Sequence, residues 1–165
     1  RENINPVQFI IPVAPGIKVE EIKRFIDYSV ENLWIVKDNI YEVMQVADLL
    51  IVASGTATLE ATIIGTPMII VYRVSPLTYL LGKMLIKVKN IGMVNIIAGK
   101  TVVPELIQND LKPEKIARLV SEILNDPKRV KEIKKELNRV KGKLGEPGAS
   151  LRAAKIIAQF LNSRG

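Results

Sequence analysis

An α/β fold built on an open, doubly wound parallel sheet is what this 165-residue sequence predicts. Three observations predict it. Short apolar runs alternate with amphipathic stretches over most of the chain. Two of the runs, residues 49–52 and 67–72, are apolar at nearly every position, which suits strands covered on both faces, as parallel strands are. The stretches between runs show helical spacing, as right-handed β-α-β crossovers require.

Taken in order, residues 7–13 read as a strand stopped by Pro15-Gly16. Residues 19–28 read as a helix with Ile22, Phe25 and Ile26 on one face. A short strand at 33–36, a helix at 41–47 and a strand at 49–52 follow. Residues 56–64 form a helix closed by Gly65, and 67–72 another strand. Residues 76–86 read as a helix, and 90–100 as a looser region with a short strand at 91–94. From Thr101 onward the sequence predicts helices alone, at 104–109, 113–125, 127–140 and 149–162. Three of them open with Pro in or near the first turn, where its missing N–H costs nothing. The division expected is an α/β domain over residues 1–126, incomplete at its start, and a helical extension over 127–165. Trp34 and Tyr28 are expected in core or edge packing.

Composition narrows the chemistry. The chain has neither cysteine nor histidine, which excludes disulfides, thiolate metal sites and serine-histidine triads. No cofactor and no metal are expected. The formal charge is +7, from 24 basic and 17 acidic side chains. It is concentrated in residues 128–143, with eight basic and two acidic side chains and no aromatic residue. Val130, Ile133, Leu137 and Val140 give that stretch a plain amphipathic pattern, so a solvated helix face is expected rather than nucleic-acid binding. No export signal is visible, and the apolar region 68–86 is interrupted by Arg73, Pro76, Gly82 and Lys83, unlike a membrane-spanning helix. The first residues lead at once into a strand, and the chain is expected to be part of a longer protein.

In a doubly wound sheet, ligands sit beyond the carboxyl ends of the strands. The residues that stand out there are Ser54-Gly55-Thr56-Ala57-Thr58-Leu59-Glu60, which leave a strand and open a helix. Gly55 permits close approach to the backbone. The first-turn N–H groups and the positive end of the helix dipole suit an anion, and Ser54, Thr56 and Thr58 add hydroxyls. Glu60, one turn above Thr56, suits a pair of sugar hydroxyls. Ser and Thr are equally ordinary helix caps, so a plain capped start fits the same residues, although Ala57 is not the Glu a capping box needs. The segment is neither a Walker loop nor a dinucleotide fingerprint. Tyr72 and Arg73 end the following strand, where Arg suits a phosphate or a surface ion pair.

Residues 61–104 hold no acidic side chain but five cations. Within them Leu77, Leu81 and Met84 recur at helical spacing, with Lys83 and Lys87 one turn apart. This reads as a basic amphipathic helix, suited to anionic lipid or an acylated substrate, or to a core with its lysines in water.

The central stretch, residues 47–125, closely resembles the carboxyl-terminal half of the bacterial lipid-A-disaccharide synthase family. The residues that carry the resemblance are Ser54 through Ala61, Pro67-Met68, Tyr72-Arg73, Pro76, Lys83 and Asn95-Ile96-Ile97-Ala98-Gly99. The resemblance implies the carboxyl-terminal, Rossmann-like domain of a GT-B glycosyltransferase. Such an enzyme transfers diacylglucosamine from its UDP donor to lipid X in lipopolysaccharide biosynthesis and releases UDP. It implies a cytoplasmic enzyme peripheral on the inner membrane, an amino-terminal domain with the catalytic base, and a possible homodimer partner. Ser54, Gly55, Thr56 and Thr58 would cradle phosphates, Glu60 would face the ribose, and Asn95 matches an asparagine linked to donor binding. Asn95→Ala is expected to cut transfer without affecting folding. The chain departs from the family in two ways: Val94 stands where Pro is usual, and no strand with a Gly-Ser-Arg loop precedes Pro6. The chain alone is not expected to be a competent transferase. The alternatives are another GT-B UDP-sugar enzyme and a non-catalytic nucleotide- or membrane-binding module.

Overall fold

The computed structural model describes residues 7–27, 30–75 and 90–162. β1 (Phe9–Val13) leads through α1 (Val19–Lys23) to β2 (Leu33–Lys37), and α2 (Ile40–Val46) leads on to β3 (Leu50–Ala53). α3 (Thr56–Ile64) connects β3 to β4 (Met68–Tyr72), and α4 (Met93–Ala98) precedes β5 (Glu105–Ile107). After a single turn of 3-10 helix at Gln108–Asp110 come α5 (Pro113–Leu124), α6 (Pro127–Lys143) and α7 (Ala149–Asn162). All ladders are parallel. β1 pairs with β2, Phe9 opposite Leu33, and β4 lies between β3 and β5. The expected sheet is therefore present as two parallel sheets, one of two strands and one of three, and among the described residues no ladder joins them. α2 links the two, since it packs on both β1 and α3.

The core sits around β4. Met68, Ile69 and Ile70 are wholly buried, as befits a strand flanked on both edges and covered on both faces. Burying each such side chain contributes about 1.5–3 kcal/mol. The inner face of α3 is Thr58, Ala61 and Thr62, small enough to let the helix lie close to the sheet. Their hydroxyls are satisfied internally, Thr62 Oγ1 donating to the Thr58 carbonyl at 2.6 Å. Ile123 from α5 and Ile133, Leu137 and Val140 from α6 enter the same core. The helix expected to open a carboxyl-terminal extension thus packs on α3 and α4. Its start is set by Asp126, whose carboxylate accepts from the Lys128 and Arg129 N–H groups at 3.0 Å, with Pro127 in the first turn. α7 buries none of its residues and leaves Leu151, Ile156, Ile157 and Leu161 exposed.

Several elements differ from expectation. Residues 91–94 are not a strand: the chain turns into α4 at Met93 and leaves it at Gly99, which sits at φ 74° and so takes the left-handed conformation that glycine favours. Residues 104–109 are not a helix, and the strands do not stop at Thr101. Pro104, read as a helix start, accepts a ladder bond from the Ile70 N–H at 2.9 Å, and β5 follows it along β4. A three-residue strand is defined by its partner, which periodicity along one segment does not reveal. α1 ends at Lys23, so Phe25 and Ile26 are not on its face, and Phe25 is 90% exposed. Trp34 lies on β2 and is largely exposed. The helix expected over 76–86, with Leu77, Leu81, Lys83 and Met84, and also Lys87 and Tyr28, lie outside the described residues. Among the described residues no helix is long and apolar enough to cross a membrane.

Candidate functional site

Parallel pairing brings the carboxyl ends of β3 and β4 side by side. Ala53 is opposite Val71, and the Ser54 N–H donates to the Val71 carbonyl at 2.9 Å. The Ser54-Gly55-Thr56 turn leaving β3 therefore stands one strand spacing, about 4.8 Å, from the Tyr72-Arg73 exit of β4. Gly55 is the residue before α3. Its φ of 163° is extended backbone open to any residue, so conformation does not demand glycine here. Among the described residues a Cβ at Gly55 would meet nothing within 4 Å, which leaves space beside the turn.

Among the described residues no side chain caps α3. The Thr58 N–H bonds back to the Gly55 carbonyl at 3.2 Å, and the N–H groups of Thr56 and Ala57 have no acceptor within the helix. α6 closes this end with a carboxylate of its own, Asp126. Ahead of α4, Glu105 reaches over from β5 to accept from the Ile91 and Gly92 N–H groups at 2.8 and 3.0 Å, and the first turn of that helix has no side-chain cap. At α3 the positive end of the dipole faces open space, the arrangement that takes an outside anion.

The other residues singled out from the sequence fall into two groups. Ser54 is half-buried, while Thr56, Tyr72 and Arg73 are exposed, all at this edge. Glu60 is half-buried on α3 and accepts from the Tyr41 hydroxyl at 3.4 Å. Thr58 is wholly buried, its hydroxyl donating to the Gly55 carbonyl at 2.7 Å, so it shapes the turn from inside. Asn95 is also wholly buried. Its Nδ2 donates to the Val103 carbonyl at 2.8 Å and to Glu105 Oε1 at 2.7 Å, and its Oδ1 accepts from the Val102 and Val103 N–H groups at 2.7 and 3.1 Å. Two donors and two acceptor positions are all that an asparagine side chain has. Asn95 fastens the 99–103 turn to α4 with none left over.

Among the described residues no three acidic side chains converge where a metal ion could be held. Two carboxylates, the half-buried Glu136 and the exposed Asp110, titrate below their ordinary range. Glu136 does so chiefly because Lys100 donates to it, with Arg139 adding to the effect, and Asp110 because Lys115 donates to it. Lys100–Glu136, at 2.8 Å, ties the turn after α4 to α6.

Comparison with known proteins decides the family. The model of the lipid-A-disaccharide synthetase family matches residues 1–160. The chain belongs to that family. It is 47% identical to the lipid-A-disaccharide synthase of Syntrophus aciditrophicus, over 93% of this chain and 40% of that protein. It is 43% identical to the synthase of Geobacter sulfurreducens, over 99% of this chain and 43% of that protein. With the synthase of Persephonella marina the identity is 40%, over 93% and 42%. The chain thus spans about two fifths of the length of these curated relatives.

Within this member of the synthetase family, Val94 occupies the first turn of α4, a position where proline is also tolerated, and its side chain is wholly buried. Three residues that bear on the site were not legible in the sequence. Tyr41 reads as an ordinary helix residue, and the relation to Glu60 is between elements 19 residues apart. Glu105 and Gln108 lie in a stretch that reads as a helix. Gln108 Oε1 accepts from the Val74 N–H and its Nε2 donates to the Val74 carbonyl, both at 2.9 Å, so it holds the chain one residue past Arg73. Pro104 at a spacing that also suits a strand start was the signal available.

Proposed function

We propose that this chain is the donor-binding part of a glycosyltransferase that moves diacylglucosamine from UDP to lipid X. The observation that carries the reading is the uncapped start of α3, open to solvent at the carboxyl edge of the sheet and flanked by Arg73. The diphosphate rests against the Thr56 and Ala57 N–H groups, with the hydroxyls of Ser54 and Thr56 beside it and the Arg73 guanidinium opposite. Charge that builds on the diphosphate as the sugar departs is stabilised by dipoles already in place. Glu60 accepts from the ribose hydroxyls, and Tyr41 holds the carboxylate on the side away from them. Thr58 and Asn95 act from within, shaping the turn and the α4 loop.

The acceptor hydroxyl is deprotonated by a residue of another part of the protein. Basic apolar residues 77–87 meet the acyl chains and the anionic surface of the inner membrane. The edges of β1 and β3, unpaired to one another among the described residues, with Phe9, Ile10 and Ile51 exposed on these strands, support a further strand between the two sheets, which would restore a single doubly wound sheet. The uncovered apolar side chains of α7 support contact with an amino-terminal domain or a second subunit.

The test is a UDP titration of the complete protein carrying Gly55→Val. The backbone at Gly55 accepts a side chain and the space is empty, so folding is expected to be retained while the side chain occupies the diphosphate position. At least a tenfold loss of UDP affinity, about 1.4 kcal/mol, is expected. Glu60→Ala is expected to lower affinity to a similar degree. Unchanged binding in both variants would remove the uridine-diphosphate reading.

A further inference from the structure

β5 ends at Ile107, opposite Tyr72 of β4, and the backbone then turns away into the Gln108–Asp110 helix. The turn is made at Gln108, which holds φ at 52°, in the left-handed region that a residue with a side chain rarely adopts. Such a conformation persists where surrounding contacts over-determine it. Here the contacts are the two 2.9 Å bonds that the Gln108 amide makes with both backbone groups of Val74. The side chain continues the ladder beyond the point where the strand has left it. Arg73 is thereby fixed on both sides, by Tyr72 within the sheet and by Val74 in the amide clamp.

We propose that Gln108 is a positioning residue for donor binding: its amide clamp on Val74 sets the backbone from which Arg73 reaches the diphosphate. This rests on the reading of the α3 turn and Arg73 as the donor site. A guanidinium on a fixed backbone searches only its own rotamers, so less freedom is lost when it pairs with a phosphate. Glutamate at this position keeps the acceptor for the Val74 N–H and loses the donor to its carbonyl. Leucine, of similar size, loses both.

The experiment is a double-mutant cycle on the complete protein, read by calorimetric titration with UDP. Gln108→Leu and Arg73→Ala are each expected to weaken UDP binding roughly tenfold, with Gln108→Glu in between. In the Arg73→Ala background, Gln108→Leu is expected to add less than about twofold, because the clamp acts through the missing guanidinium. A glutamine that merely stabilised the fold would weaken binding equally in both backgrounds. Additive losses, or unchanged affinity in Gln108→Leu, overturn the proposal. If Gln108→Leu does not fold, the same cycle is run with Gln108→Glu, and the same two outcomes decide. Should Gly55→Val abolish binding while Arg73→Ala leaves it intact, this inference fails and the donor-site reading stands. Should the unaltered protein bind no UDP, the donor-site reading fails and takes the inference with it.

Discussion

Replacing Asn95 by alanine separates a donor-binding residue from a structural one. The side chain is wholly buried and makes four hydrogen bonds. Alanine would strand the Val102 and Val103 N–H groups and the Val103 carbonyl, and would take one of the donors from Glu105. Val103 is itself wholly buried, so water does not readily replace what is lost. At roughly 1–2 kcal/mol for each of the three stranded groups, the cost is about 3–6 kcal/mol. That is a large part of the 5–15 kcal/mol by which a domain is typically stable. The expected outcome is a fall in thermal midpoint of about 10 °C, measured by circular dichroism. UDP affinity at low temperature, measured on the protein that remains folded, is expected to fall far less than in Gly55→Val. This replaces the expectation from sequence that folding is untouched. An unchanged midpoint with UDP binding lost would refute the reasoning and return Asn95 to the ligand.

Gly92→Ala tests the same corner from the backbone: the added Cβ would overlap Ile70 Cδ1 and press on Glu105 Oε1, and both are held, so a loss of about 1–3 kcal/mol in urea unfolding is expected. Acid dependence follows from Glu136. Lys100 and Arg139 hold its folded-state pKa below the unfolded value, so the stability it contributes is present above the ordinary carboxylate range and is lost as pH falls through the lowered value. The gap in thermal midpoint between the native protein and Glu136→Gln is therefore expected to close as pH falls through and below the ordinary carboxylate range, and a gap that widened would contradict the sign.

The parts of the fold legible in the sequence are those whose signal is local. β4 is a solid apolar run, and it is the buried centre of the sheet. α3 is bounded by Gly55 and Gly65, and α6 by Asp126-Pro127, and these boundaries appear as read. The misread segments are those defined by distant partners. β5 is three residues long and exists because β4 offers an edge; α4 is six residues long and is held at its start by a carboxylate from β5. The site divides in the same way. The Ser54-Gly55-Thr56 turn and Arg73 follow from strand ends in a parallel sheet. Thr58 and Asn95 carry polar groups that suit a ligand equally well on paper, and burial alone assigns them to the interior. Gln108 and Tyr41 act on residues 34 and 19 positions away, which no periodicity encodes.

The most direct measurement is a structure of the complete protein with UDP bound. The account predicts the diphosphate within hydrogen-bond distance of the Thr56 and Ala57 N–H groups, beside Gly55, with Arg73 on its other side and the ribose hydroxyls against Glu60. UDP bound with its phosphates away from the start of α3 would contradict it.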